Sequence, residues 1–159
     1  MSTAICPGSF DPVTLGHLDI IERANRIFDK VIVAILDNPS KSYMFDLEER
    51  IEMLRESCSY MNGVEIDHFN GLLVDYMKNR DTKVVVRGLR AVSDFEYEFT
   101  MALMNKKLYK DMEMFYMMSA NEYEFVSSSI IKEVANLGGD VDSMVPSIVA
   151  KKLKEKCNL

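Results

Sequence analysis

The first residues that suggest chemistry lie between positions 7 and 17, Pro7-Gly8-Ser9-Phe10-Asp11-Pro12-Val13-Thr14-Leu15-Gly16-His17. Two glycines and two prolines within ten residues make a tight loop with exposed backbone, feeding a helix N-terminus where unpaired amides and the helix dipole favour an anion. Ser9 adds a hydroxyl, Gly16 allows a bulky phosphate close to the backbone, and His17 brings a ring nitrogen into the first helical turn. Taken alone, the same residues would also make an ordinary turn followed by a surface histidine.

Three further groups have the same character. Lys41 follows Pro39-Ser40, where a mobile ammonium could reach a phosphate or simply face solvent. Arg87 and Arg90 flank Gly88-Leu89 just after the apolar run Val84-Val85-Val86. Guanidinium forks suit phosphate oxygens, and the competing assignment is an ion pair with Asp94, Glu96 or Glu98. Ser127-Ser128-Ser129 opens a helical segment. One serine suffices for a cap, so three hydroxyls together with helix amides suggest a second anion site.

The elements that must position these groups alternate regularly. Short β-branched or continuous apolar runs at 3–6, 31–36, 64–66, 84–86 and 114–118 predict strands, several buried on both faces. Helical spacing separates them: Leu18-Ile21-Ala24-Ile27, Leu47-Ile51-Leu54-Cys58, Leu72 to Met77, and Phe95-Phe99-Ala102-Leu103. Asp46 and Glu49 form a plausible capping box for the second helix. A helix over 127–137 ends at Gly138-Gly139, and an amphipathic piece runs from Pro146 to Leu159. This order implies an α/β protein with a parallel sheet of about five strands and helices on both faces. Ligands of such sheets bind at the carboxyl ends of the strands, where strand order reverses, so the sites to inspect follow Cys6, Leu36, Phe69, Val86 and Met118.

Composition narrows the partners. The chain has 159 residues, 19 Lys+Arg against 25 Asp+Glu, and a formal net charge of −6. Residues 1–159 read as a single domain without repeats or a long linker, large enough to bury a core without staples. The acidic balance argues against nucleic acid held by counterion release, while a small anion responds to a few local charges. Three scattered cysteines suggest neither a disulfide framework nor a zinc site and fit a reducing, cytoplasmic setting. No apolar run approaches a membrane span and no leader-like segment is evident, so no membrane partner is expected. Met112, Met114, Met117 and Met118 read as pliant core or interface packing, and His68 as structural rather than part of a site.

The loop from Pro7 to His17 resembles the signature of nucleotidyltransferases with the (H/T)xGH motif, here Thr14-Leu15-Gly16-His17. With Thr leading the motif, it is most similar to the bacterial phosphopantetheine adenylyltransferase family. The resemblance continues through Pro39-Ser40-Lys41, the helix start at 45–50, the block from Val86 to Glu98, Met104-Asn105, and Phe125-Val126-Ser127-Ser128-Ser129. It therefore spans nearly the whole chain.

The resemblance implies a Rossmann-like nucleotidyltransferase fold and transfer of the adenylyl group of ATP to 4′-phosphopantetheine, giving dephospho-coenzyme A and pyrophosphate. By analogy, His17 would stabilise the transition state, with Lys41 and Arg90 also catalytic. ATP would contact Ser9, Phe10, His17, Gly88, Leu89, Arg90, Glu98 and the segment Tyr123, Glu124, Phe125, Val126, Ser127, Ser128 and Ser129. The acceptor would contact Ser9, Lys41, Leu73, Arg87 and Asn105. Mg²⁺ would arrive mainly through ATP phosphates, with no metal ligand from protein side chains. A homohexamer and feedback inhibition by coenzyme A are further implications. Cys6 stands where an aromatic residue is more common, Ser9 replaces a frequent Thr, and Tyr123 replaces Trp in some members; each keeps the needed hydroxyl or aromatic face where one matters. The competing assignments are a nicotinamide-mononucleotide adenylyltransferase, a glycerol-phosphate cytidylyltransferase, and a non-catalytic nucleotide-binding regulator.

Overall fold

A computed structural model describes residues 2–90 and 92–157, with the side chains of Val92 and Ser93 excluded. Met1, Ala91 and the last two residues of the expected terminal helix, Asn158 and Leu159, lie outside the described residues. The strands are β1 (Thr3–Gly8), β2 (Lys30–Leu36), β3 (Val64–Phe69), β4 (Val84–Leu89) and β5 (Glu113–Met118). Between and after them come α1 (Leu15–Ile27), α2 (Leu47–Ser57), α3 (Leu73–Asn79), α4 (Val92–Leu108), a short 3₁₀ turn (Asn121–Tyr123), α5 (Ser128–Asn136) and α6 (Ser147–Cys157).

All strand pairs are parallel, in the order β3-β2-β1-β4-β5. Side-chain alternation divides the core. Ala4, Cys6, Val31, Val33 and Ile35 pack with apolar residues of α1, α2, α5 and α6, whereas Ile5, Ile32, Ala34 and Val85 pack with α3 and the region after α4. Both faces are therefore dry, which is why β2 reads as an unbroken apolar run rather than an alternating one.

The chain winds from β1 outward to β3, then crosses to β4 on the other side, so strand order reverses between β1 and β4. Their ladder covers Ala4–Val84 and Ile5–Val85, yet β1 continues to Gly8 and β4 to Leu89. Pro7 has no N–H to donate to a ladder. The two carboxyl ends separate beyond it, and that gap is the floor of the candidate site.

Two expectations change. The fourth strand extends beyond Val86, so Arg87 projects from the strand itself rather than from a following loop. The apolar stripe Phe95-Phe99-Leu103 does not enter this chain's core: these residues are 50%, 52% and 58% exposed. Periodicity specifies that a face is apolar, not which surface covers it. Met118 is likewise exposed, while Met112 is buried, so the methionine stretch is only partly core.

Candidate active site

The loop after β1 is built around His17. Thr14 is the N-cap of α1, and its Oγ1 accepts the His17 backbone N–H at 3.3 Å. In return the Thr14 backbone N–H donates to His17 Nδ1 at 3.0 Å. This is a capping box with imidazole in the place usually taken by Glu. Because Nδ1 accepts, the neutral ring carries its proton on Nε2. Burial, reinforced by the positive charges of Arg90 and Arg87, lowers the His17 pKa from 6.5 to about 4. The residue is thus a neutral hydrogen-bond donor at physiological pH, well suited to a developing negative charge and poorly suited to act as a cationic clamp.

Phe10 keeps the ring in place by an edge contact, 5.1 Å between centroids. It occupies the left-handed region at φ 46°, unusual for a residue with a bulky side chain. Gly8 accommodates this bend, since a Cβ there would lie 3.0 Å from the Phe10 ring. Gly16 is similarly confined: a Cβ would approach Tyr123 Cβ at 3.3 Å.

Asp11 fixes the loop from below. Its carboxylate is buried and accepts from Met44 N at 3.1 Å, Phe45 N at 2.9 Å and Lys132 Nζ at 2.6 Å. Ser128 Oγ donates to Pro12 O at 2.8 Å, tying α5 to the same loop. Two helix N-termini therefore converge, although fewer amides are free than the sequence suggests. In α1, Leu15 N is taken by Met144 O at 3.0 Å and His17 N by Thr14, leaving Gly16 N. In α5, Ser127 Oγ caps Ile130 N at 3.2 Å, leaving the amides of Ser128 and Ser129 in the first turn. The three serines thus divide their work: Ser127 caps, Ser128 anchors, and Ser129 is exposed with its hydroxyl available.

The arginines resolve the choice left open by sequence partly in favour of pairing. Arg87 grips both oxygens of Glu98, through Nε at 3.2 Å and through Nη2, and its Nη1 donates to Pro7 O at 3.0 Å. Three of its five N–H groups are thereby engaged, and two remain for a ligand. Arg90 donates to Asp94 Oδ2 at 3.1 Å and Val126 O at 3.2 Å. Lys41 is exposed at the rim and makes no ion pair among the described residues.

These groups surround a cleft of about 750 Å³ at the carboxyl ends of the strands. Ser9, Phe10, His17, Lys41, Leu73, Arg87, Gly88, Arg90, Glu98, Asn105, Val126, Ser127, Ser128 and Ser129 all line it. Four of the expected contacts do not. Leu89 is buried in β4, and Tyr123, Glu124 and Phe125 occupy or follow the 3₁₀ turn behind Gly16. Cys6 also lines the cleft, but burial pushes its thiol up to about 12, so it stays protonated and is no covalent nucleophile.

A Cytidylyltransferase-like family model matches residues 5–134. The phosphopantetheine adenylyltransferase of Desulfosudis oleivorans is 56% identical over 98% of this chain and 93% of that protein. That of Dictyoglomus turgidum is 56% identical over 98% of both chains, and that of Carboxydothermus hydrogenoformans 55% identical over 98% and 96%. The chain belongs to the phosphopantetheine adenylyltransferase family of nucleotidyltransferases.

The supports of this adenylyltransferase-family site carry less local sequence signal than the polar groups that face the cleft. Asp11 and Lys132 lie within motif blocks without a role of their own, Tyr43, which also lines the cleft, belongs to no motif, and Arg50 stands only within a helix start. One signal was available. Arg50 shares the helical stripe of Leu47, Ile51 and Leu54, so a cation on a buried face was already implied by spacing. Asp11 had no comparable signal, because its three donors come from segments 33 or more residues away.

Proposed function

We propose that the cleft joins ATP to 4′-phosphopantetheine, forming dephospho-coenzyme A and pyrophosphate. An oxygen of the acceptor phosphate attacks the α-phosphorus of ATP; the new P–O bond forms as the bond to pyrophosphate breaks, and the electron pair leaves with pyrophosphate. No covalent intermediate with the protein is needed. The required contribution is alignment and stabilisation of charge on the equatorial oxygens. The carrying observation is His17: its Nδ1 is committed to Thr14 and its pKa is held near 4, so Nε2–H is a fixed neutral donor at the cleft.

In this reading Lys41, Arg87 and Ser9 hold the acceptor phosphate, with Leu73 and Asn105 along the pantetheine arm. Gly88, Arg90 and the start of α5 hold the ATP phosphates, and of the 123–126 segment only Val126 reaches the cleft, toward the adenine. The carboxylates that line the cleft, Glu98 and Asp94, are already engaged by Arg87 and Arg90. They are not set to cage a cation, so magnesium enters with ATP as part of the nucleotide substrate. Coenzyme A carries the same pantetheine arm as the acceptor and would compete for this cleft as a feedback inhibitor. The exposed apolar face of α4 supports assembly into a homohexamer. No helix among the described residues is long and apolar enough to cross a membrane, and a cytoplasmic location suits these soluble substrates.

The test is pyrophosphate release from ATP with phosphopantetheine, nicotinamide mononucleotide and glycerol phosphate offered separately. Release with phosphopantetheine alone is expected. Release only with either of the others would replace the acceptor, and no release with any would make the chain a nucleotide-binding regulator.

A further inference from the structure

Arg50, on α2, is the one cationic side chain buried from solvent among the described residues, 1% exposed. It does not line the cleft. Its guanidinium nevertheless joins two segments that do. Nη1 donates to Ser9 O at 3.1 Å, inside the phosphate-facing loop after β1. Nη2 pairs with Asp37 Oδ1 at 2.8 Å, just beyond the end of β2. Nε donates to Asp46 O at 3.3 Å, and the guanidinium carbon lies 4.0 Å from the centre of the Tyr43 ring.

Tyr43 carries the connection to Lys41. Its hydroxyl accepts from Asn38 N at 3.0 Å and donates to Leu36 O at 3.4 Å. Asn38 in turn anchors the turn that presents Lys41, through Lys41 N to Asn38 O and Ser40 N to Asn38 Oδ1, each 3.0 Å. One planar group thus relates the Ser9 loop to the Lys41 turn. Stability alone does not explain its choice, because well-packed apolar residues commonly serve a buried position as well as an ion pair does.

We infer that Arg50 is a positioning residue that sets the spacing between Ser9 and Lys41, and through them the grip on the acceptor's phosphate. This rests on the reading of the cleft as a phosphopantetheine site. ATP is held mainly on the opposite side, by the end of β4 and the start of α5, so the two substrates should respond differently when Arg50 changes.

The experiment is steady-state kinetics of the full chain with each substrate varied, alongside thermal melting, for the wild type, Arg50→Lys and Tyr43→Phe. Lysine keeps the charge but loses the fork that reaches three segments. For Arg50→Lys, KM for phosphopantetheine should rise about tenfold or more with a fall in kcat, the scale of losing a hydrogen bond to a charged group. KM for ATP should stay within about threefold, no more than the effect of one weak hydrogen bond. Tyr43→Phe keeps the ring under the guanidinium and should fold normally; it should raise the phosphopantetheine KM about threefold to tenfold by releasing Asn38 N and Leu36 O. Equal rises for both substrates that follow a fall in Tm would reduce Arg50 to a stabilising residue. Unchanged phosphopantetheine KM in both variants would overturn the inference outright. A wild-type chain that releases no pyrophosphate with phosphopantetheine would remove the functional reading and this inference with it.

Discussion

His17 shows how a single side chain can be specified by its hydrogen bonds before any substrate arrives. The Thr14 N–H fixes the tautomer, and burial together with Arg90 and Arg87 keeps the ring neutral. Its pKa is lowered, so the unfolded chain binds the proton first: stability due to the neutral ring is full above about 6.5 and is lost as pH falls toward about 4. NMR titration of the free protein should show the His17 ring still neutral at pH 5.5; protonation with a midpoint near 6.5 would refute that environment. His17→Ala should lower turnover by at least ~10²-fold, the scale of losing one transition-state donor, with ATP affinity by calorimetry little changed. Glu98 poses a sharper question, since it is an expected ATP contact that lines the cleft and is also clasped by Arg87. If it acts through Arg87, Glu98→Gln should raise the phosphopantetheine KM about tenfold, as expected for weakening a charged pair. A rise confined to the ATP KM would restore direct nucleotide contact.

At the scale of elements, the site depends on holding two helix starts against the end of β1. Ser128 reaches Pro12, and Lys132, one turn further along α5, pairs with buried Asp11. Lys132→Met removes one partner of a pair whose carboxylate is 4% exposed, leaving Asp11 with backbone donors alone. Its cost should be about 2 kcal/mol, below the loss for a fully buried pair because lysine is partly solvated, or a Tm fall of roughly 4–8 °C in a chain of this size. Differential scanning calorimetry measures it directly, and an unchanged Tm would show that the pair does not brace the loop. Strands and helices were legible in sequence because each carries its own periodicity, and Asp46–Glu49 forms the capping box its spacing implies. Most of the contacts expected from the local motifs and their family resemblance do line the cleft. What stayed hidden were the braces: Asp11 with Lys132 spans 121 positions, and Arg87 with Pro7 spans 80. Such contacts exist only once the sheet brings distant strand ends together.

Across the whole molecule, a net charge of −6 must coexist with a cleft for two anionic substrates. Counting cations overstates the field there, since Glu98 and Asp94 offset Arg87 and Arg90, and His17 is neutral. Lys41 and oriented amides are left as the main attraction for phosphate. The opposite imbalance appears on α4, where Phe95, Tyr97, Phe99, Leu103 and Met104 are each at least half exposed. An apolar helix face of this kind is what the proposed assembly would cover. It adjoins the cleft through Glu98 and Asn105 on the same helix, so covering it would also steady Arg87 from outside. The wild-type chain should therefore sediment as a multimer, and the double substitution Phe99→Glu with Leu103→Glu should release monomers by placing unpaired charges in a desolvated interface. Because both side chains are already exposed in the single chain, the monomer should keep its circular dichroism spectrum while phosphopantetheine binding weakens. A wild-type monomer at micromolar concentration, or a variant that stays assembled, would show that α4 is not the contact surface.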